Sequence, residues 1–263
     1  MPVFRRLLPG LALLLPVTVL AVQPATAQDG KDPWRITLGA GAIWAPGYLG
    51  SDDYDVDPLP VVDIRYRDRF FLSTRDGLGF AAIRTPEFSF GPLVKYRTGR
   101  DQDDDDGLRG MGDVDPAGEA GLFAEYRMLP FTFGAELRQG FGGHEALVGD
   151  LKAAWVGKLT DKISFSVGPQ LSFASGDFTE TYFGVDAAQA ARSGYRRYDA
   201  DGWYYSYGLG GAITDRITDT ITMAYFAGVS RIAGDAADSP LVDEAGDATQ
   251  ARLGITISYS FGF

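Results

Sequence analysis

The stretch from Arg252 to Phe263 alternates without a break. Leu253, Ile255, Ile257, Tyr259, Phe261 and Phe263 take every second position, with Arg252, Gly254, Thr256, Ser258, Ser260 and Gly262 between them. Successive strand side chains point to opposite faces, so such a strand carries an apolar stripe on one side and polar or very small residues on the other. One face requires oil and the other tolerates water. A fold that satisfies this must bury or immerse one face of its sheet while keeping the opposite face wet.

The same period recurs along the chain. Trp34, Ile36, Leu38, Ala40, Ala42 and Trp44 alternate with Arg35, Thr37, Gly39 and Gly41. Phe131, Phe133, Ala135 and Leu137 face away from Thr132, Gly134, Glu136 and Arg138, and Ile163, Phe165, Val167, Leu171 and Phe173 from Ser164, Ser166, Gln170 and Ser172. About twelve strand-like segments are counted in this way, those in 58–84 and 146–159 less cleanly, and no convincing amphipathic helix appears among them. The links alternate in length. Arg67-Asp68, Thr85-Pro86, Leu129-Pro130, Thr160-Asp161 and Asp215-Arg216 are short; 46–57, 99–116, 175–201 and 233–250 are long. Short turns on one side and long loops on the other are the habit of outer-membrane barrels. The expected fold is an all-β, antiparallel, up-and-down transmembrane β-barrel of about 12 strands, with the long loops extracellular. A soluble β-sandwich also alternates, but its apolar face is a shared core of branched aliphatics. Here that face is aromatic-rich and stands opposite charged residues.

The N-terminus points to export. Arg5 and Arg6 precede an apolar run from Leu7 to Val22 interrupted by Pro9 and Pro16, and Ala25-Thr26-Ala27 supplies a small-x-small cleavage site before Gln28. Residues 1–27 are read as a cleaved secretory signal and 28–263 as one barrel domain placed in the outer membrane of a Gram-negative bacterium, in contact with its lipid and lipopolysaccharide. The signal holds two of the 24 basic residues and none of the 35 acidic ones, so the mature chain carries a net −13. Such a chain offers no basic surface for nucleic acid. With no cysteine and a single histidine, His144, thiol chemistry and multi-histidine metal centres have no ligands.

Three ordered blocks carry a more specific likeness: Gly47-Tyr48-Leu49-Gly50-Ser51-Asp52-Asp53-Tyr54 followed by Pro58-Leu59-Pro60 and Arg69-Phe70-Phe71-Leu72; Tyr182-Phe183-Gly184-Val185 leading to Gln189-Ala190-Ala191-Arg192-Ser193-Gly194-Tyr195; and Gly234-Asp235-Ala236-Ala237-Asp238-Ser239-Pro240-Leu241. With these the chain resembles the MipA/OmpV family of outer-membrane barrels. The resemblance implies a scaffold that brings a lytic murein transglycosylase together with a murein synthase, with adhesion, osmotic response and drug uptake attached to other relatives. A narrow channel for small solutes is the alternative from a different class. The terminal strand likewise resembles closing strands whose aromatic end is read by the insertion machinery, which makes Tyr259, Phe261 and Phe263 the expected assembly signal.

Chemistry finds little purchase. His144 is the sole candidate base for a serine nucleophile, and no nucleophile motif accompanies Gly142-Gly143-His144-Glu145, so His144 is read as a solvent-exposed turn residue and the protein as a non-enzyme without cofactor. The run Asp101 to Gly107 is similar to a calcium loop, but Gln102 falls at the first ligand position and Asp113 where a bidentate Glu belongs. The residues expected to matter are instead charges at two places. Arg67, Arg69 and Arg216 are candidate periplasmic contacts, and Lys95, Arg97, Glu125, Arg127, Glu136 and Arg138 are candidate lumen charges.

Overall fold

The computed structural model describes residues 33–263. The proposed signal and its cleavage point therefore lie outside the described residues. The chain winds as an antiparallel meander: β1 (Trp34–Pro46), β2 (Tyr54–Tyr66), β3 (Phe70–Ser73), β4 (Gly77–Phe80), β5 (Ile83–Arg84), β6 (Phe88–Arg97), β7 (Ala117–Met128), β8 (Phe131–Gly142), β9 (Leu147–Lys158), β10 (Ile163–Ala174), β11 (Tyr204–Arg216), β12 (Ile221–Gly234) and β13 (Thr249–Gly262). Each strand pairs with its sequence neighbour, β13 pairs with β1, and β4 pairs with β6. Twelve strands thereby close into a barrel, and the two-residue β5 lies alongside β6 within the wall.

Closure follows from the alternation. The register Trp34↔Tyr66, Ile36↔Ile64 and Leu38↔Val62 continues on the other side of β1 as Ile36↔Phe261, Leu38↔Tyr259 and Ala40↔Ile257, so apolar residues lie opposite apolar ones across the seam. Backbone bonds from Trp34 N to Phe263 O and from Phe263 N to Trp34 O finish the ring at its end. Leu38, Leu122, Leu137, Trp155, Val167, Leu209, Tyr225 and Ile257 all stand exposed on the outer wall, as a lipid-facing surface requires. A closed ring also leaves few sheet edges unpaired, which hydrocarbon would not tolerate.

The short links are tight. Arg67 (φ 49°) and Asp68 (φ 52°) both adopt the left-handed region, as the central residues of a tight turn that Arg69 N closes onto Tyr66 O within the three-residue link 67–69. Asp68 accepts from Arg35 at 3.0 Å, which holds that turn against β1. Leu129-Pro130 makes another, with a cis peptide bond. The turn after β11 lies at 217–220, just beyond the expected Asp215-Arg216 link, which is the end of the strand itself.

Two expectations need correction. Residues 54–57 belong to β2 rather than to a loop beginning at 46. The period is hard to read there because Asp55 and Asp57 face the lumen while Pro58 and Pro60 occupy outward positions. Helices also form: α1 (Gly176–Phe183), α2 (Ala187–Ser193) and α3 (Pro240–Asp243), all within the long loops. α2 begins with a capping box, Asp186 accepting from Gln189 N while the Gln189 side chain accepts from Asp186 N. These helices are short and gain their stability from packing against other loops, so their period is too brief to register in sequence.

Candidate functional site

The long-loop end is filled. Leu49, Phe178, Phe183, Ile232, Ala236 and Val242 come from different loops and strand ends and form one buried apolar cluster. A second cluster joins Tyr48, Leu108, Met111, Val185 and Leu241. Hydrogen bonds stitch the same loops together: Tyr48 Oη donates to Leu241 O (2.7 Å), Arg100 Nη1 to Tyr182 O (2.7 Å), Ser239 Oγ to Phe183 O (2.6 Å) and Tyr195 Oη to Gly107 O (2.9 Å). Burial, reinforced by Asp105, pushes the Tyr48 hydroxyl well above its ordinary pKa, so it remains a donor. The acidic run works within this cap as turn chemistry. Asp105 accepts from Ser51 Oγ (2.8 Å) and Gly107 N (2.8 Å), Asp104 from Asp101 N (3.2 Å) and Asp113 from Gln102 N (3.0 Å).

Beneath the cap lies a belt of buried charge. Arg138, on β8, is almost fully enclosed and donates to Glu119 (2.7 Å), Glu136 and Asp150 (2.7 Å). Glu119, on β7, also accepts from Arg97 on β6, and Lys95 Nζ pairs with Glu136 at 2.6 Å. Alternation alone puts these residues on the inner face, and antiparallel register then sets Glu119 beside Lys95 on one side and Gly140 on the other. Buried charges persist where they are paired and hydrogen-bonded, which the planar guanidinium groups of Arg97 and Arg138 achieve for the belt carboxylates.

His144 is the correction here. It sits in the turn after β8 as expected, but it is buried, with its Nε2 3.1 Å from Glu119 Oε1 and its Nδ1 accepting from Ala146 N at 3.3 Å. An accepting Nδ1 places the proton on Nε2, so His144 donates to Glu119 and completes the belt. Phe178 and Tyr182 of the cap meet its ring edge-on. Two glycines and a glutamate beside it suggested an exposed turn; only the three-dimensional approach of α1 covers it.

Below the belt, the barrel opens into a cavity of about 1850 Å³ that reaches the short-turn end. Among the described residues, ten basic and seven acidic ones line it, although the whole chain carries a net −11. None of its lining comes from the long loops, and of the belt Glu136 reaches it. Arg67 and Arg216 lie at its mouth, Arg216 donating to Asp161 O at 2.9 Å. Arg69 is instead turned onto the carbonyls of Ala81 and Ala82. Glu125 and Arg127, 3.9 Å apart, also line the mouth rather than joining the belt. The six expected lumen charges thus divide into four that build the belt and two at the entrance. Glu119, Asp150 and Lys152 were not singled out from sequence; their inward parity was the available signal, but it offered no way to see that Glu119 and Asp150 meet at Arg138 while Lys152 lines the cavity below.

Comparison with known proteins gives relatives in sequence and in structure. Over 225 residues the chain is 28% identical to outer membrane protein OmpV of Vibrio cholerae, covering 84% of this chain and 78% of that protein. It is 25% identical over 242 residues to the MltA-interacting protein of Escherichia coli K12, covering 88% and 92%. Among solved structures it is similar to the NanC porin, with a TM-score of 0.44 and 8% identity over 86% of this chain and 98% of that one. Residues 38–261, from the first strand to the last, match the family described as MltA-interacting protein MipA, and this twelve-stranded outer-membrane barrel belongs to it.

Proposed function

We propose that the protein is a non-catalytic interaction protein that works from the periplasmic side of the outer membrane. The long-loop end faces outward and the short turns face the periplasm, in keeping with barrels of this kind. The carrying observation is the basic cavity beneath a capped lumen. Short turns alone project too little protein for a stable interface, which buries on the order of 800 Å² per partner. A concave, cation-rich vestibule supplies the missing area and favours an acidic segment of the partner. The name of the Escherichia coli relative states an interaction with MltA, so a lytic murein transglycosylase is the proposed partner, with a murein synthase alongside it as the family resemblance implies.

Immobilised protein from this organism should retain its lytic transglycosylase. Arg67→Glu and Arg216→Glu should weaken that retention, while Arg138→Met, sealed above the cavity, should not alter it in protein that has folded. Planar-bilayer recordings should show no sustained ion-selective conductance. Failure to retain either murein enzyme, together with steady conductance whose selectivity responds to Lys95 or Arg127, would replace the scaffold with the channel.

A further inference from the structure

The barrel wall is not of even height. β2 pairs with β1 along all of Tyr54–Pro46 through Tyr66–Trp34, but its other edge meets β3 only from Asp63 to Tyr66. β3 and β4 have four residues each, and β4 touches β6 through Leu78↔Val94 and Gly79↔Leu93. Above the Thr74-Arg75-Asp76 turn, therefore, no strand of the described residues lies between the upper half of β2 and the end of β6. With strands about 4.8 Å apart, β2 and β6 are separated there by three spacings, roughly 14 Å. The loop 98–116 arches across the top, Asp105 reaching Ser51 at the head of β2. The result is a window framed by β2, β6, a short hairpin below and an acidic loop above.

The window's edge is built to remain unpaired by protein. Outward-facing residues of β2 direct their backbone groups toward β3, as the bond from Thr74 N to Val62 O shows. Pro58 and Pro60 belong to that same outward series and have no N–H to offer. Pro60 O is met by Thr74 Oγ1 at 3.2 Å. A strand from a partner or a second copy would find half of its ladder missing, so β-augmentation is disfavoured. Flanking the window on the outer surface, Val56 and Tyr96 are among the most exposed apolar residues of the wall, at 69% and 72%.

Behind it the lumen changes character. Leu59 and Val61 take inward positions on β2 along the gap. Ala81, Leu93 and Phe123 form a buried cluster with Phe71 packed against it, on the strands that border the window from below and beside. This apolar patch contrasts with the charged belt and with the largely small, polar inner faces of β10–β13. Beside it stand Arg65 and Arg75 on the hairpin side and Lys152, which acts electrostatically on Asp76 across the lumen and has no ion-pair partner among the described residues.

We propose that this window is a lateral portal through which a single-chain anionic amphiphile passes between the membrane and the barrel interior, its chain on the Leu59, Val61, Phe71 and Leu93 surface and its head group at Lys152. An apolar route opening sideways suits a molecule already dissolved in the bilayer, and the free ammonium supplies the charge that its head group needs. Nothing in this requires the outer cap to open, and Lys152, Phe71 and Leu93 also line the cavity that opens to the periplasm, so the portal leads into the upper part of that cavity.

Hexadecanoate bearing a diazirine at its chain end tests the portal with the full-length protein in lipid vesicles. Photolysis and mass spectrometry should place adducts on inward residues beside the window, Leu59, Val61 and Leu93, and unlabelled hexadecanoate should compete them away. Lysozyme-sized soluble competitors are irrelevant to this route, and so are the rim variants Arg67→Glu and Arg216→Glu, which should leave labelling intact. Leu59→Trp or Val61→Trp, each accepted only if heat-modifiable migration shows a folded barrel, should abolish the inward adducts while labelling of outward Leu72 and Leu78 persists. Lys152→Gln should weaken competition by hexadecanoate more than by hexadecanol. Adducts confined to outward residues, or inward adducts spread equally to Ser166 and Thr214 on the far wall and indifferent to the tryptophan variants, would overturn the portal.

Discussion

Arg138→Met tests whether the buried belt holds the barrel together. The guanidinium, 1% exposed, satisfies oxygens of Glu119, Glu136 and Asp150 at once. After its removal Glu119 keeps Arg97 and His144, and Glu136 keeps Lys95. Asp150 keeps the hydroxyl of Ser172, at 2.6 Å, and a longer-range attraction from Lys95, but no ion pair, so its charge is left poorly compensated. Methionine fills much of the space, which limits the cavity term and leaves the unpaired carboxylate as the dominant cost. Breaking a buried pair from one side costs about 3–5 kcal/mol. That is a factor of roughly a hundred to several thousand in the unfolding equilibrium at 1.4 kcal/mol per tenfold change. Asp150→Asn in the same background removes the stranded charge and should recover most of the loss, whereas Arg216→Met at the mouth should stay within about 0.5 kcal/mol of the parent. Reversible guanidinium unfolding in lipid vesicles, followed by tryptophan fluorescence, measures all four proteins. An Arg138→Met variant within about 1 kcal/mol of the parent would show that the belt is wet and weakly coupled, against the burial on which the reasoning rests.

Deleting Phe263 should lower the amount of barrel recovered in the outer membrane without changing export, since the deletion removes both backbone bonds to Trp34 and a ring stacked 6.4 Å from the Trp34 ring; fractionation and heat-modifiable migration read the result, and normal levels would make the terminal aromatic dispensable. Loop 98–116 should tighten at mildly acidic pH. Burial, then repulsion from Asp101, Asp113 and Asp103, offset in part by the Asp101 backbone bond, holds the Asp104 carboxyl above its ordinary value. The folded loop therefore binds a proton more readily than the unfolded chain, and stability is gained as pH falls through the raised value and lost as it rises. Hydrogen exchange across 98–116, corrected for intrinsic rates, should be slower near pH 5 than near neutrality, and faster exchange would reverse the sign. Tags inserted after Asp103 or Asp199 should be labelled on intact cells, and a tag after Asp219 should not; the opposite pattern would invert the barrel.

Two-residue alternation survives in sequence because each position obeys it alone, whatever its neighbours across the sheet do. The lipid-facing stripe of β13, the inward placement of Arg138 and the short turn at Arg67-Asp68 were therefore legible from residues 34 to 263 read one strand at a time. So was the family likeness, carried by loop blocks such as Gly47 to Tyr54. What alternation cannot encode is stagger and height. Glu119, Glu136, Asp150 and Arg138 lie on three strands, and their convergence depends on register, a property of pairs. His144 became buried only when α1 folded over it. The cap joins loops far apart in the chain, Tyr48 to Leu241 among them. The lowered wall above Thr74 required knowing that β3 and β4 stop after four residues while β2 continues to Tyr54. Period tells which way a side chain points; only closure of the ring decides what it meets there.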